Sequence, residues 1–163
     1  MLALTKSPRI VWLFLAALSA LALACRSAPQ GSANHFRVNL GTEPRSLDWS
    51  LATDHVSFNV IANLMVGLTE FDKELKPAPV IAKSWDLQDG GKKIVFHLRD
   101  DVRWSDGKKV TAQDFEYSWK RLLDPKTASQ YAYILFDLVN AQEYNEGKMK
   151  DASLVGVRAQ DEQ

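Results

Sequence analysis

The sequence predicts an α/β fold, and three observations point to it. Residues 82–87 and 93–98 are extended runs on either side of Gln88-Asp89-Gly90-Gly91, a step whose Asp and Gly residues tolerate positive φ and so suit a β-hairpin. Phe36, Val38 and Leu40 alternate with Arg37, Asn39 and Gly41, the period of a strand with one buried face. Two further stretches have helical spacing instead: Val56, Val60, Ile61, Leu64 and Met65, and then Phe115, Trp119, Leu122 and Leu123. With 46% apolar and 25% charged residues, the 163-residue chain has the composition of a foldable globular protein rather than a disordered one.

At the amino terminus, Lys6 and Arg9 precede an unbroken apolar run, Ile10 to Ala24. That run is shorter than the roughly 20 residues needed to span a bilayer as a helix. It reads as a signal peptide, residues 1–24, removed on export. The only cysteine follows directly, and Leu21-Ala22-Leu23-Ala24-Cys25 resembles the lipobox of bacterial lipoproteins, with Ala22 where that pattern prefers leucine. The resemblance implies lipid modification at Cys25, which would hold the chain to a membrane surface without spanning it. The alternative is an ordinary signal-peptidase site with Cys25 incidental. Residues 26–35 are rich in Ser, Ala, Pro and Gly and carry no periodicity, so 25–35 reads as a flexible tether and 36–163 as the folded part. Without Lys6 and Arg9 the basic count falls from 20 to 18 against 20 acidic residues, and no basic face for nucleic acid is left.

The expected strand at 36–40 ends at Thr42-Glu43-Pro44, because proline lacks a backbone donor and restricts its predecessor. "SLDWSLATDH" then runs as a loop, and the helix from Val56 stops at Gly67. A short strand, a charged turn at Asp72–Lys76 and a proline-punctuated connection lead into the hairpin. Ile94, Phe96 and Leu98 form one face of its second strand, and Val95, His97 and Arg99 the other. Thr111 is the expected N-cap of the next helix, with Asp114 at N3 in a variant capping box and Asp124-Pro125 at the end. A further helix is expected at Tyr133–Glu146, closed by Gly147, and a strand at Leu154–Ala159. Such a strand needs a neighbour and none follows Asp161, so the chain is expected to be truncated.

Chemistry is sparse. Ser105 and Asp106 lie eight and nine residues after His97, which suggests a hydrolase. Yet Ser105 lacks the preceding glycine of a nucleophile elbow, and Ser-Asp-Gly has a simpler use as a turn. His35, His55 and His97 show no metal-ligand spacing, and no phosphate-binding glycine motif occurs, so no metal and no cofactor is expected. Trp85, Trp104 and Trp119 are assigned to packing, while Trp49, in a loop, stays open.

Three segments carry a resemblance. "GTEPRSLDWS" (41–50) resembles a G-x-E-P-x-S-L-D-P opening with Trp49 replacing the usual proline. "NVIANLMVGLTEFD" (59–72) resembles a helix-and-E-G-L segment with Val66 where glutamate is common. The run from Pro79 to Ser129 follows a pattern of Pro-x-hydrophobic-Ala-x-x-Trp, a strand ending in Phe-x-Leu-Arg, a Ser/His-Asp-Gly turn, and Thr/Ala-x-Asp leading a helix. Together they resemble the bacterial extracellular solute-binding proteins of the peptide and nickel class (family 5), in its oligopeptide-binding branch. The resemblance implies part of lobe I of a two-lobed periplasmic-binding-protein fold of class II type, closing on its ligand by hinge motion. It also implies a binding protein rather than an enzyme, a monomer that captures oligopeptides outside the cytoplasm, in the periplasm or at the outer face of the cell membrane, and delivers them to the permease of an ABC importer. The peptide would be bound through its main chain, its side chains lying in hydrated pockets. By resemblance the contact loop is Ala52, Thr53, Asp54 and His55. The alternative for that loop is a solvated segment in which Asp54 caps the Val56 helix. Rival ligands are a dipeptide, a nickel chelate, haem or a signalling peptide, and a rival class is a chaperone-like envelope module.

Overall fold

The computed structural model describes residues 36–161. The signal segment 1–24, the proposed lipid site Cys25 and the tether through His35 lie outside the described residues. Leu40–Gln163 forms one compact unit, and of the other unit, Met1–Asn39, residues 36–39 are described.

Within the larger unit, helix α1 (His55–Leu64) is followed by two antiparallel hairpins. Strand β1 (Thr69–Phe71) pairs with β2 (Pro77–Pro79), and β3 (Ala82–Gln88) with β4 (Lys93–Leu98). The proline-punctuated connection is thus itself a short strand, at an edge where missing backbone donors are tolerated. The charged turn forms as expected, with Asp72 Oδ1 accepting the N–H groups of Glu74 and Lys76 at 2.9 Å. At the tip of the second hairpin Asp89, Gly90 and Gly91 have φ of +50°, +66° and +89°, the left-handed run anticipated from the sequence.

Helix α2 (Ala112–Leu123) starts where expected: Asp114 Oδ2 accepts the N–H of Thr111 at 2.8 Å and its hydroxyl at 3.1 Å. The helix joins two apolar clusters. Ile81, Ala82, Leu98 and Val110 form the first, with Phe115 against it. Leu123, Ala132, Ala141, Tyr144 and Val155 form the second.

Four expectations are corrected. Residues 36–40 form no strand, and Phe36 is 92% exposed. Alternation alone is insufficient, because a strand also needs a neighbour for its ladder bonds. The helix expected over Tyr133–Glu146 is broken into a 3-10 turn at Ala132–Leu135 and a short α3 at Ala141–Asn145. The break is at Asn140, whose φ is +59° and whose side-chain amide donates to the Leu154 carbonyl at 2.8 Å, so a tertiary bond overrides local periodicity. Gly147, φ +73°, does close the segment.

The tail 154–159 is not a strand. Gly156 N–H donates to the Val139 carbonyl (2.8 Å), Ala159 N–H to Glu116 Oε2 (2.7 Å), and Gln113 Nε2 donates to the Asp161 carbonyl (3.0 Å). Side chains of α2 thus supply partners that a ladder would otherwise provide. Finally, Trp104 is 48% exposed rather than packed away, its Nε1 donating to Asp114 Oδ2 at 3.3 Å. Trp85 and Trp119 are half-buried, Trp85 tilted on Phe96 with ring centroids 6.4 Å apart.

A Cβ on Gly156 would lie 2.9 Å from the backbone nitrogen of Val139. Gly156→Ala is therefore expected to cost about 1–3 kcal/mol through overpacking, read as a lower urea midpoint with an unchanged slope. An unchanged midpoint would show that the tail is not seated here.

Candidate functional site

The loop between residues 46 and 57 is organised by polar bonds. Asp48 turns the chain: its carbonyl accepts the N–H groups of Leu51 (3.0 Å) and Ala52 (2.9 Å), and its Oδ1 accepts the N–H of Ser50 (3.0 Å). The Arg121 guanidinium, reaching from the last turn of α2, grips both oxygens of this carboxylate, with Nη1 to Oδ1 at 2.9 Å and Nη2 to Oδ2 at 2.5 Å. Nη1 also donates to the hydroxyl of buried Ser50 at 2.9 Å. A planar fork with fixed donors suits this arrangement. The Arg121 bonds hold the Asp48 carboxyl below its usual value, against the opposing effect of burial, and Asp48 in turn raises Arg121.

A second set of bonds fixes the start of α1. Asp54 is its N-cap, with Oδ1 accepting the N–H of Ser57 (2.9 Å) and Oδ2 its hydroxyl (2.7 Å), which lowers the Asp54 pKa. Ser57 is fully buried, and its Oγ accepts the N–H of Ser46 at 3.3 Å, tying the loop's beginning to its end.

The four loop residues singled out from the sequence therefore differ in environment. Ala52 is buried and Asp54 is engaged in capping. His55 is the first residue of α1 rather than a loop residue, and it is exposed. Thr53 is exposed, and among the described residues no group bonds to its backbone or side chain. One helical turn from His55, Phe58 meets Tyr131 edge-on at 5.8 Å, and Tyr131 lies 6.1 Å from Tyr133. Sequence reading missed this aromatic row, as it missed Arg121. Phe58 falls three residues after His55, but Tyr131 and Tyr133 lie far along the chain, and no local pattern brings them to Phe58.

The Ser105 stretch is a turn. Gly107 takes φ +87° and donates to the Trp104 carbonyl (2.9 Å), and Asp106 Oδ1 accepts the N–H of Lys108 (3.0 Å). His97 Nε2 lies 2.8 Å from Asp86 Oδ2 on the facing strand, so its ring is engaged there. Among the described residues no cluster of His, Cys, Asp and Glu could hold a metal ion, and no helix is long and apolar enough to cross a membrane.

Over residues 76–163, more than half of the chain, the sequence matches the family described as bacterial extracellular solute-binding proteins, family 5 Middle. The chain belongs to this family. It is 35% identical over 144 residues to a dipeptide-binding protein of Lactococcus lactis, covering 88% of this chain and 26% of that protein. To the periplasmic oligopeptide-binding protein OppA of Haemophilus influenzae it is 42% identical over 130 residues, covering 78% of this chain and 24% of the other. The crystal structure of Haemophilus influenzae OppA in complex with RPPGFSPFR superposes with a TM-score of 0.68 at 40% identity, covering 76% of this chain and 24% of that one. The chain thus spans about a quarter of the length of these relatives, and its mixed helix-and-strand fold corresponds to part of their two-lobed fold.

Because the folded-state pKa of Asp48 is lowered, its contribution is complete above the unfolded value of about 3.9 and is lost as pH falls through the folded value. In acid titrations followed by tryptophan fluorescence, Asp48→Asn is expected to be less stable than the native chain at pH 7. The difference between the two should shrink below about pH 4. A difference independent of pH would show that the carboxylate charge is not what Arg121 holds.

Proposed function

We propose that this chain forms part of a binding protein, not an enzyme, that captures oligopeptides outside the cytoplasm and passes them to the permease of an ABC-type importer. Family membership supports the binding role, and the Haemophilus relative is described as both periplasmic and oligopeptide-binding. The observation that carries the reading at the level of residues is the Thr53 backbone, bare of partners among the described residues and set within a loop that Asp48, Asp54 and Ser57 hold in one shape. Bonds to a ligand's main chain use atoms that every peptide shares, so such a loop binds with little regard to sequence. Ala52, Thr53, Asp54 and His55 are the proposed contact segment, with Thr53 contributing main-chain bonds, His55 an exposed side chain, and Ala52 and Asp54 the support.

The lipid anchor at Cys25 belongs to the same proposal and rests on the signal-like run before it. A monomer is part of the same proposal. A shorter ligand is the second reading, favoured by the 35% identity to the Lactococcus dipeptide-binding protein.

The test is a chimera in which residues 40–161 of this chain replace the matched segment of Haemophilus influenzae OppA, titrated calorimetrically with RPPGFSPFR and with dipeptides. Tight binding of the longer peptide is expected. Thr53→Ala should leave the Kd within about twofold, whereas N-methylation of the peptide amides should weaken binding by about tenfold. Equal loss from Thr53→Ala, or indifference to methylation, would count against main-chain capture, and a preference for dipeptides would favour the second reading.

A further inference from the structure

We infer that Arg121 is a positioning residue for the contact loop, a role that rests on the peptide-binding reading above. The loop has little apolar burial to hold it. Leu47 and Leu51 are 47% and 45% exposed, and among its apolar side chains Ala52 is the one that is fully buried. Its shape is therefore set by polar bonds, and these converge on Asp48, which orients Ser50, Leu51 and Ala52 through its carboxylate and carbonyl. The carboxylate in turn is oriented by Arg121, 73 residues later in the chain.

Arg121 is well placed for this because the two residues after it, Leu122 and Leu123, are buried, so α2 cannot slide and the guanidinium is presented from a fixed point. Loss of the guanidinium would leave the Asp48 carboxylate without its cation and the buried Ser50 hydroxyl without its donor. Residues 48–53 would then sample several conformations while α2 and the hairpin keep theirs. A loop ordered before the ligand arrives does not charge its ordering entropy to binding. Lysine cannot replace the fork, since one ammonium does not serve two carboxylate oxygens and a hydroxyl in the same geometry.

Two measurements test the inference. Amide hydrogen exchange on the full chain should show Ser50 and Ala52 exchanging faster in Arg121→Ala, while Arg99, bonded to Ile81 at the hairpin, stays protected. In the chimera, Arg121→Ala and Asp48→Ala should each weaken RPPGFSPFR binding by about tenfold, the double variant should be no weaker than either single one, and Arg121→Lys should recover part of the loss. Unchanged exchange at Ser50 and Ala52, or faster exchange with unchanged affinity, would overturn the positioning role. Additive losses would overturn the coupling through Asp48. If Arg121→Ala lost protection everywhere, the residue would be a general fold determinant, and Arg121→Lys with a retained melting temperature and full affinity would likewise refute the role of the fork. A native chimera that bound no peptide while the exchange pattern held would refute the functional reading and leave a purely structural clamp.

Discussion

The burial of Leu123 is the constraint on which the rest of the described fold depends. This fully buried leucine closes the last turn of α2 into one apolar cluster, while Phe115 at the other end of the helix packs on the cluster beneath the hairpin. Fully burying such a side chain is worth about 1.5–3 kcal/mol. Beyond that energy, it fixes the rotation of the helix about its axis. Once the apolar stripe is seated, the polar side chains of α2 have fixed directions: Gln113 and Glu116 toward the tail, Arg121 toward the Asp48 turn. One helix thus ties together segments that have no sheet in common.

This arrangement explains which parts of the fold were legible in the sequence. The hairpin, the capping pair Thr111 and Asp114, the Ser-Asp-Gly turn and the Asp72 turn are all local, and their residue types encode them directly. Two of the failures, the 133–146 helix and the tail strand, share a cause. Asn140 breaks a periodic segment because its amide reaches Leu154, and the tail avoids strand form because Glu116 takes the N–H of Ala159. Periodicity cannot report a bond between residues that are distant in sequence. For the same reason Arg121 went unnoticed beside the loop, whereas the proposed contact loop was suggested only through resemblance.

The loop and the aromatic row beside it have different physical characters. The loop is held in shape by hydroxyl and carboxylate bonds to its own backbone, the kind of surface that the proposed main-chain capture of peptides requires. The row of Phe58, Tyr131 and Tyr133 offers ring faces and edges, which accept apolar bodies of many shapes. Such a pairing suits a family whose members are named for oligopeptides in one case and dipeptides in another.

The clamp on the tail has a consequence of its own. Two paired strands can slip by two residues and recover most of their ladder bonds, because their pattern repeats. The partners of the tail do not repeat: a backbone carbonyl at Val139, a side-chain amide at Asn140, a carboxylate at Glu116 and another amide at Gln113. No translation of the tail along α2 restores that set, so the chain passes the helix in a single alignment, and it does so without presenting an open ladder edge to neighbouring molecules.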